Sequence, residues 1–459
     1  MKNSGPNILF IIIDSLRVDR ITGSLKTAKT PNLDKLINTG VFFDHTIAPS
    51  DTTNPNIGSI FTAQYPFRSG VDMYRNHKKS CKFFKNLNEN DFFRCATVPN
   101  TSFFRTLTKD FEHTDFIEIN PNQSLEDGVG DKLLKQIQLN SMNSPWIHYV
   151  HLLDLHPTKN QFLIPEKYND EKFGKSKYDQ TISIIDEWIG KILAKVNLNN
   201  TLIIVSSDHG EYISEYTNLI HNIDNLENVF KKLKNYLPFL ESMANAGNWQ
   251  KNKAPSIGTQ LINNTRKIIF ERRKSKLKKY LTESEIRSLN YRLQWDLFDE
   301  IIRVPLIFVG YGIKHVPLID KQIHQMDIVP TINDILQLPN EKIFDGRSLL
   351  PFMKNITPSE KPIYLETATT KPKSLGNVVG IRTPEYKMYK PRLTGSYQTK
   401  LFDLKNDPLE LNNLAKNEPI IIKKLSKMIF DIQRSDFSKE KELLKKRIHQ
   451  KRRLLTLKE

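Results

Sequence analysis

The sequence predicts an α/β protein built on a doubly wound, mostly parallel sheet. Apolar runs of strand length alternate with helical patterns over most of the 459 residues. The clearest runs cover residues 7–13, 146–153, 201–210 and 304–310. They are apolar almost throughout, which is typical of strands covered on both faces, and strands separated by helices pair in parallel.

Two segments between these runs predict helices. Residues 30–40 place Thr30 near the N-cap, Pro31 in the first turn and Gly40 at the end. Residues 179–196 carry apolar side chains at helical spacing, so they predict an amphipathic helix.

The length allows one large domain with smaller additions. We expect a catalytic α/β domain from residues 1–221 and 294–370. Residues 222–293 contain 15 Lys and Arg against 6 Asp and Glu, and they predict a basic helical insertion. Residues 371–415 predict a small α+β subdomain with an antiparallel sheet, and residues 416–459 predict a basic helical tail.

The charge balance favours acidic partners. Sixty-eight Lys and Arg against 51 Asp and Glu give a net charge of +17. A lysine-rich composition without functional meaning explains this excess equally well. The insertion and the tail are therefore either solvated helices or contacts to an anionic membrane surface or an acidic polymer. No nucleic-acid-binding motif is recognisable, so no nucleic acid is expected as a partner.

The location expected from the sequence is cytoplasmic. No run of about 20 apolar residues is long enough to span a membrane. The apolar stretch 8–13 is short and ends in Asp14, which favours a buried strand over a signal peptide. Cys81 and Cys95 are too few for a disulfide framework. If the basic segments bind lipid, we expect a peripheral position at the inner face of the membrane.

Ionisable residues follow two of the predicted strands. Asp14 follows the first run, and Asp208 with His209 ends the third. The carboxyl ends of parallel strands meet at one edge of a sheet, and these side chains are ligands for divalent metals. Thr53 precedes a helical stretch, where the helix dipole favours anions. Thr53 is thus either a reactive hydroxyl or a helix N-cap.

The order of several motifs resembles that of the sulfatase family of the alkaline phosphatase superfamily. The likeness covers nearly all of residues 6–415 outside the insertion. The matching stretches, in chain order, are ILFIIID, TPNLDKL, SDTTNPNIGSIFTAQYPFRSG, HYVHLLDLHP, SIIDEWIGKIL, LIIVSSDHGEYISE, VPLIFVG, MDIVPTINDIL and LFDLKNDPLELNNL.

This resemblance implies a metal-and-nucleophile cluster of Asp14, Thr53, Asp208 and His209. The four residues would hold one divalent ion, which could be Ca, Mg, Mn or Zn. Thr53 would attack the sulfur or phosphorus of an ester and form a covalent intermediate.

The resemblance also implies residues that contact the substrate. His156 falls on the family's substrate-contacting or leaving-group histidine and would act in catalysis. His221 falls where relatives hold a non-bridging oxygen, although it also fits a surface histidine before the insertion. Asn100 falls in a stretch where short family members have a comparable loop, and it would bind substrate.

Three departures from the sulfatase pattern concern the nucleophile. Thr53 cannot be oxidised to formylglycine as the family's Cys or Ser is, so no formylglycine is expected. Ile57 replaces an arginine, and Ser15 replaces a second aspartate. Another cation would then be needed, and the candidates are Arg17, Arg68 and Arg303.

These departures favour the phosphoryl-transfer branch of the superfamily. We expect a metal-dependent hydrolase of phosphate monoesters or diesters, phosphonates or sulfate esters, acting through Thr53. One alternative is a transferase of phosphoethanolamine or glycerophosphate groups. Another alternative is a non-catalytic protein that binds an anionic ligand or a membrane surface.

Overall fold

The computed structural model divides the chain into two compact units, Met1–Glu211 with Trp295–Glu459, and Tyr212–Gln294. The predicted insertion, residues 222–293, belongs to the second unit and lies almost wholly outside the described residues, so its helical character stays a prediction. The structure describes residues 5–72, 81–120, 123–140, 145–156, 164–213, 275, 286–287, 296–356, 358–368, 378–392 and 398–434.

The described part of the first unit contains a nine-stranded sheet in the order β4-β3-β5-β1-β6-β7-β2-β8, with β9 beside β2. Neighbouring strands pair in parallel except at β7, which is antiparallel to both β6 and β2. The strands are β1 Asn7–Ile13, β2 Val41–Ile47, β3 Phe93–Pro99, β4 His113–Ile117, β5 Trp146–Leu152, β6 Thr201–Ser206, β7 Arg303–Gly310, β8 Val316–Ile319 and β9 Ile323–His324.

This arrangement confirms the predicted fold class. The four apolar runs are strands β1, β5, β6 and β7. The direction of β7 departs from a uniformly parallel sheet. An apolar run shows that a strand is buried but not which way it runs, so the sequence did not reveal this.

Helices cover the sheet, and both predicted helices are confirmed, as α1 (Pro31–Thr39) and α7 (Lys177–Leu193). The carboxylate of Asp186 in α7 accepts the backbone N–H groups of Asn32 and Leu33 in α1, at 3.1 and 2.7 Å. The α-helices in the described ranges are α1 Pro31–Thr39, α2 Thr53–Thr62, α3 Pro66–Ser69, α4 Lys82–Glu89, α5 Ser102–Leu107, α6 Val129–Asn140, α7 Lys177–Leu193, α8 Asp299–Ile302, α9 Ile328–Ile335, α10 Leu350–Met353 and α11, residues 419–434.

Helix α2 packs on one face of the large sheet, beside strand β1, which Asp14 follows. Side chains alternate between the two faces along β1, and the Phe10 ring lies on the face covered by α2, 5.8 Å from the ring of Phe61. Ile57 and Ile60 of α2 join the same buried cluster. Burial of such side chains contributes roughly 1.5–3 kcal/mol each. This packing brings the start of α2 to the carboxyl edge of the sheet.

A separate four-stranded antiparallel sheet has the order β10-β11-β12-β13. Its strands are β10 Ile363–Glu366, β11 Val378–Arg382, β12 Tyr386–Pro391 and β13 Lys400–Asp403. The predicted antiparallel sheet is confirmed, although β10 begins before the expected boundary at residue 371. Of the predicted tail, α11 packs on this sheet and residues 435–459 lie outside the described part. Among the described residues, no helix has both the length and the apolar character needed for a membrane crossing.

Candidate active site

Strand β1 brings Asp14 to the carboxyl edge of the large sheet. Asp14 is buried, and its N–H donates to the carbonyl oxygen of Leu152 at the end of β5, at 2.9 Å. Ser15 follows with φ +65°, a region that residues other than glycine seldom adopt. The Ser15 hydroxyl donates to Asp14 Oδ1 at 2.7 Å. This turn fixes one carboxylate oxygen of Asp14 and leaves Oδ2 to face the neighbouring strands.

Strand β6 brings Asp208 to the same edge. Because β6 runs parallel to β1 with Ile12 paired to Ser206, Asp208 follows its strand at the same edge as Asp14. Its Oδ1 accepts the N–H groups of Ser15 at 3.1 Å and His209 at 2.8 Å. Its Oδ2 is buried and accepts no hydrogen bond from the residues that the structure describes. A buried carboxylate oxygen without a donor is costly unless a cation compensates it.

The ring of His209 is held in one orientation. Its Nδ1 lies 2.7 Å from the carbonyl oxygen of Gly210. A carbonyl oxygen can only accept, so in the neutral ring Nδ1 carries the hydrogen and Nε2 carries the lone pair. That Nε2 atom lies 3.5 Å from Asp208 Oδ2 and 3.4 Å from Thr53 Oγ1. His209 therefore presents an acceptor or a metal ligand toward Thr53.

Thr53 is the first residue of α2, and Thr52 occupies the N-cap position in extended conformation. The interpretation of Thr53 as a helix N-cap is therefore wrong. Its Oγ1 points toward the sheet edge and lies 3.4 Å from Asp14 Oδ2. The positive end of the α2 dipole faces the same space, which favours an anion beside this hydroxyl.

His151 is a site residue that the sequence analysis did not identify. It lies near the end of β5, fully buried, with Nε2 at 3.3 Å from Asp14 Oδ2. Its Nδ1 lies 2.9 Å from the hydroxyl of Tyr149. The signal that could have found it is positional. Of the two histidines in the run, His148 and His151, only His151 is near the carboxyl end, and the odd spacing puts them on opposite faces.

The electrostatics of the site stabilise the ionised form of Asp14. Burial by itself raises the pKa of Asp14. The hydrogen bond from His151, with the charges of His156 and His209, outweighs burial and holds that pKa well below its usual range. A carboxylate that stays ionised in a buried position suits a cation site.

The donor atoms of this edge fit a divalent cation. One ligand atom each of Asp14, His151 and Asp208 lie within 4.8 Å of one another. Two atoms bound to one ion at about 2.0–2.2 Å are roughly 3.0–4.2 Å apart, so little movement is needed. The unpaired Oδ2 of Asp208 and the outward Nε2 of His209 are further ligands of the expected kind. Carboxylate donors suit Mg, Ca or Mn, and imidazole donors suit Zn, so the four predicted metals stay open.

The remaining predicted residues are placed differently. His156 follows β5, and its charge acts on Asp14, so it lies near the cluster. Asn100 follows β3, where its amide donates to Glu118 and accepts from Arg105 Nε at 2.7 Å. His221 lies outside the described residues.

The three arginines considered as substitutes for the missing cation each bind a carboxylate elsewhere. Their partners are Asp19 for Arg17, Asp345 for Arg68 and Asp44 for Arg303. The residue at the family's arginine position, Ile57, is fully buried in the core. The ion pairs of these three arginines are thus with carboxylates other than Asp14 and Asp208.

Comparisons with known proteins identify the family and agree with the fold. A profile of the sulfatase family matches residues 6–338, and one for the C-terminal part of N-sulphoglucosamine sulphohydrolase matches residues 291–435. The chain belongs to the sulfatase family, within the alkaline phosphatase superfamily. Arylsulfatase K from Mus musculus is 21% identical over 346 residues, which cover 73% of this chain and 55% of that protein. The chain spans about a quarter to about half the length of the curated relatives it matches.

Solved structures share the fold over almost the whole chain. One, solved in complex with its substrate D-glucosamine-2-N,6-O-disulfate, is 16% identical with a TM-score of 0.64 and covers 94% of this chain and 98% of its own. A phosphonate monoester hydrolase from Silicibacter pomeroyi is 15% identical with a TM-score of 0.61 and covers 94% and 95%. At these identities the likeness shows the fold alone, and it is shared by proteins acting on sulfur and on phosphorus.

Proposed function

We propose that this chain is a divalent-metal-dependent hydrolase that cleaves phosphate esters, phosphonates or sulfate esters through a covalent intermediate on Thr53. The observation that carries the proposal is the position of the Thr53 hydroxyl, 3.4 Å from both Asp14 Oδ2 and His209 Nε2. A hydroxyl between such acceptors, at the positive end of a helix, is the arrangement of an activated nucleophile. Apo distances of this length shorten in a substrate complex.

Asp14, Asp208, His209 and the Thr53 hydroxyl would hold the cation. When bound, a divalent ion lowers the pKa of a neighbouring hydroxyl, so that its proton is lost to water, and offsets negative charge on the substrate. Thr53 Oγ1 then forms a bond to phosphorus or sulfur while the bond to the ester oxygen breaks. His156 gives a proton to the departing oxygen. Water attacks phosphorus or sulfur and the bond to Thr53 Oγ1 breaks, with a proton of that water passing to Thr53 Oγ1. His156 takes back from solvent a proton equivalent to the one that Thr53 released in the first step.

Phosphorus esters are the favoured substrates within this proposal. Formylglycine requires a Cys or Ser at the nucleophile position, and Thr53 supplies neither. Cys81 donates to the Phe61 carbonyl oxygen at 3.0 Å, and Cys95 is buried in β3. The reaction therefore uses an alkoxide, which attacks phosphorus in a transfer governed by positioning and electrostatics.

A substrate panel tests the proposal. Wild type, Thr53→Ala and Thr53→Ser are assayed on aryl sulfate, aryl phosphate monoesters and diesters, and phosphonate monoesters, with and without chelator. We expect phosphorus esters to turn over faster than sulfate, Thr53→Ala to lose at least about 10³-fold in kcat, and Thr53→Ser to retain part of it. Exclusive turnover of sulfate overturns the phosphorus preference. Unchanged turnover by Thr53→Ala overturns the nucleophile.

The same first step serves the transferase alternative. A transferase differs only in passing the group from Thr53 to an acceptor hydroxyl instead of water. Glycerol or ethanolamine added to the assay measures this partition, since a transferase forms the new ester in preference to free phosphate. Absence of turnover on the whole panel, with no divalent metal bound, favours the alternative of a non-catalytic binding protein.

The basic segments suggest the proposed partner and location. The charge of residues 222–293, with that of the tail, would hold a cytoplasmic enzyme on an anionic membrane surface or an acidic polymer. Cosedimentation with phosphatidylserine vesicles at low salt tests binding to an anionic membrane. If as much protein cosediments with neutral vesicles, the proposed binding to an anionic membrane is wrong. His221 remains a proposed substrate contact, to be tested by its effect on KM. The predicted substrate contact of Asn100 is tested in the same way, although the bonds of its amide to Glu118 and Arg105 weigh against it.

A further inference from the structure

Tyr149 and His151 extend the site behind Asp14 through two hydrogen bonds. We call this pair of bonds, from Tyr149 to His151 and from His151 to Asp14, the relay. The two residues are two apart in β5, so their side chains lie on one face of the sheet. The Tyr149 hydroxyl lies 2.9 Å from His151 Nδ1, and His151 Nε2 lies 3.3 Å from Asp14 Oδ2. Tyr149 and His151 are both 0% exposed, so water does not compete for these bonds.

Hydrogen-bond counting decides where the imidazole carries its hydrogen. The ionised carboxylate of Asp14 can only accept, so the 3.3 Å contact requires a hydrogen on His151 Nε2. In the neutral ring Nδ1 then carries a lone pair, and the Tyr149 hydroxyl donates to it. The opposite tautomer would leave the buried Tyr149 hydrogen without an acceptor among the described residues, which is the costlier arrangement.

Aromatic packing holds this chain of donors in place. The Tyr149 ring lies 5.0 Å from Phe61 in a T-shaped contact and 5.7 Å from Phe10. Phe104 lies 4.8 Å from the His151 ring. Close-packed rings leave little room for the imidazole to turn over, so the donor stays aimed at Asp14.

We infer that Tyr149 and His151 are positioning residues that hold Asp14 for cation binding, and that His151 serves as a hydrogen-bond donor rather than as a metal ligand. Asp14 Oδ1 receives the Ser15 hydroxyl and Oδ2 receives His151. With both oxygens fixed, the remaining lone pairs stay directed to the cation and to Thr53. Outer partners of this kind typically raise metal affinity by about 10- to 100-fold. The inference rests on the proposed function for the role of Asp14.

Four variants test the inference. Tyr149→Phe removes one hydroxyl. His151→Gln keeps an N–H near the position of Nε2, and His151→Ala removes it. Tyr168→Phe is the matched control, since it loses one hydroxyl bond, to Glu187 at 2.7 Å, away from the site. For each variant, Mn²⁺ is titrated into metal-free protein by calorimetry, and kcat and KM are measured separately.

We expect Mn²⁺ affinity to fall about 10- to 100-fold in His151→Ala and Tyr149→Phe, and less than about fivefold in His151→Gln. The loss in activity falls on kcat with KM unchanged, and Tyr168→Phe matches wild type. ¹⁵N shifts of labelled metal-free protein show the Nε2–H tautomer of His151, assigned by its loss in His151→Gln. If His151→Gln loses affinity as fully as His151→Ala, His151 is a ligand and the inference is wrong. If Tyr149→Phe binds Mn²⁺ as wild type does, the relay is wrong.

These outcomes are independent of the nucleophile. Should Thr53→Ala prove fully active while His151→Ala loses Mn²⁺ affinity, the proposed function fails and the relay stands. Should Thr53→Ala be inactive while every relay variant binds Mn²⁺ normally, the relay alone fails.

Discussion

Two regions of this chain bury a pair of carboxylates, and they compensate the charge in different ways. The first is the site edge, where Asp14 and Asp208 meet two histidines. The second, which we call the ion cluster, lies between α8 and the small sheet and consists of Asp299, Glu410, Arg382 and Lys387. In the cluster, Lys387 is fully buried, with Nζ at 2.7 Å from Asp299 and 2.6 Å from Glu410.

The difference lies in the balance of permanent charge. Asp299 also accepts from Arg382 at 2.8 Å, so two cations face two carboxylates in the ion cluster. At the site edge no lysine or arginine of the described residues takes this role, and Asp208 Oδ2 has no donor among them. A buried cluster whose charges are paired needs no added cation, whereas a buried carboxylate oxygen without a donor is costly unless a cation compensates it. The comparison separates a charge group compensated by its own side chains from one that suits an added cation.

Asp208→Asn removes one of the two buried carboxylates of the site edge, and it carries the largest expected effect. We expect kcat/KM to fall at least about 10³-fold, because a ligand charge is lost. The melting temperature of the chelated protein should rise, because the amide removes a buried charge and can donate to His209 Nε2, 3.5 Å from the replaced oxygen. Kinetics and thermal unfolding in EDTA measure both. A lower melting temperature in EDTA would mean that Asp208 is already compensated.

Lys387→Met removes one of the two cations of the ion cluster. The substitution leaves buried Glu410 without this cation and Asp299 with Arg382, so we expect the free energy of unfolding to fall by about 3–5 kcal/mol. Denaturant titration measures this loss. The matched control is Lys427→Met, whose exposed partner is Asp431 and which should cost at most about 0.5 kcal/mol. An unchanged stability of Lys387→Met would remove the contrast between the two regions.

Ser15→Gly sharpens the contrast within the site itself. Both Ser15→Gly and Ser15→Ala lose the bond to Asp14 Oδ1, so we expect kcat to fall about 10-fold in each. Glycine accepts φ +65° without strain, so Ser15→Gly should be more stable than Ser15→Ala by about 1 kcal/mol. Full activity in both variants would show that the hydroxyl does not position Asp14.

Asn100→Ala carries the smallest expected effect. The amide is bound to Glu118 and Arg105, so we expect KM to change less than about threefold. Saturation kinetics with the best phosphorus ester measures it. A tenfold rise in KM would instead support the predicted substrate contact of Asn100.

The sequence predicted much of the site because its residues end strands or begin a helix. Asp14, Asp208 and His209 could be assigned to one edge once the strands were assumed parallel, and Thr53 was assigned by the family resemblance. The predicted edge is confirmed by the register of β1 and β6. The catalytic roles of these residues stay predictions.

Features that depend on pairing between distant segments were not predicted. The direction of β7, the addition of β10 to the small sheet and the approach of His151 to Asp14 all follow from register between strands far apart in the chain. The same reason applies to Arg68 and Arg303, whose carboxylate partners Asp345 and Asp44 are 277 and 259 residues away. Residue type marks a candidate, but its partner is set by the fold.

The central claim is that Thr53 becomes covalently modified during turnover. The direct measurement is mass spectrometry of the peptide containing Thr53 after acid quench of enzyme mixed with a fast phosphorus ester. The account predicts a phosphoryl group on Thr53 in wild type, none in Thr53→Ala, and more of it when water attack is slowed at low temperature. Rapid turnover with an unmodified Thr53 peptide at every quench time would contradict it.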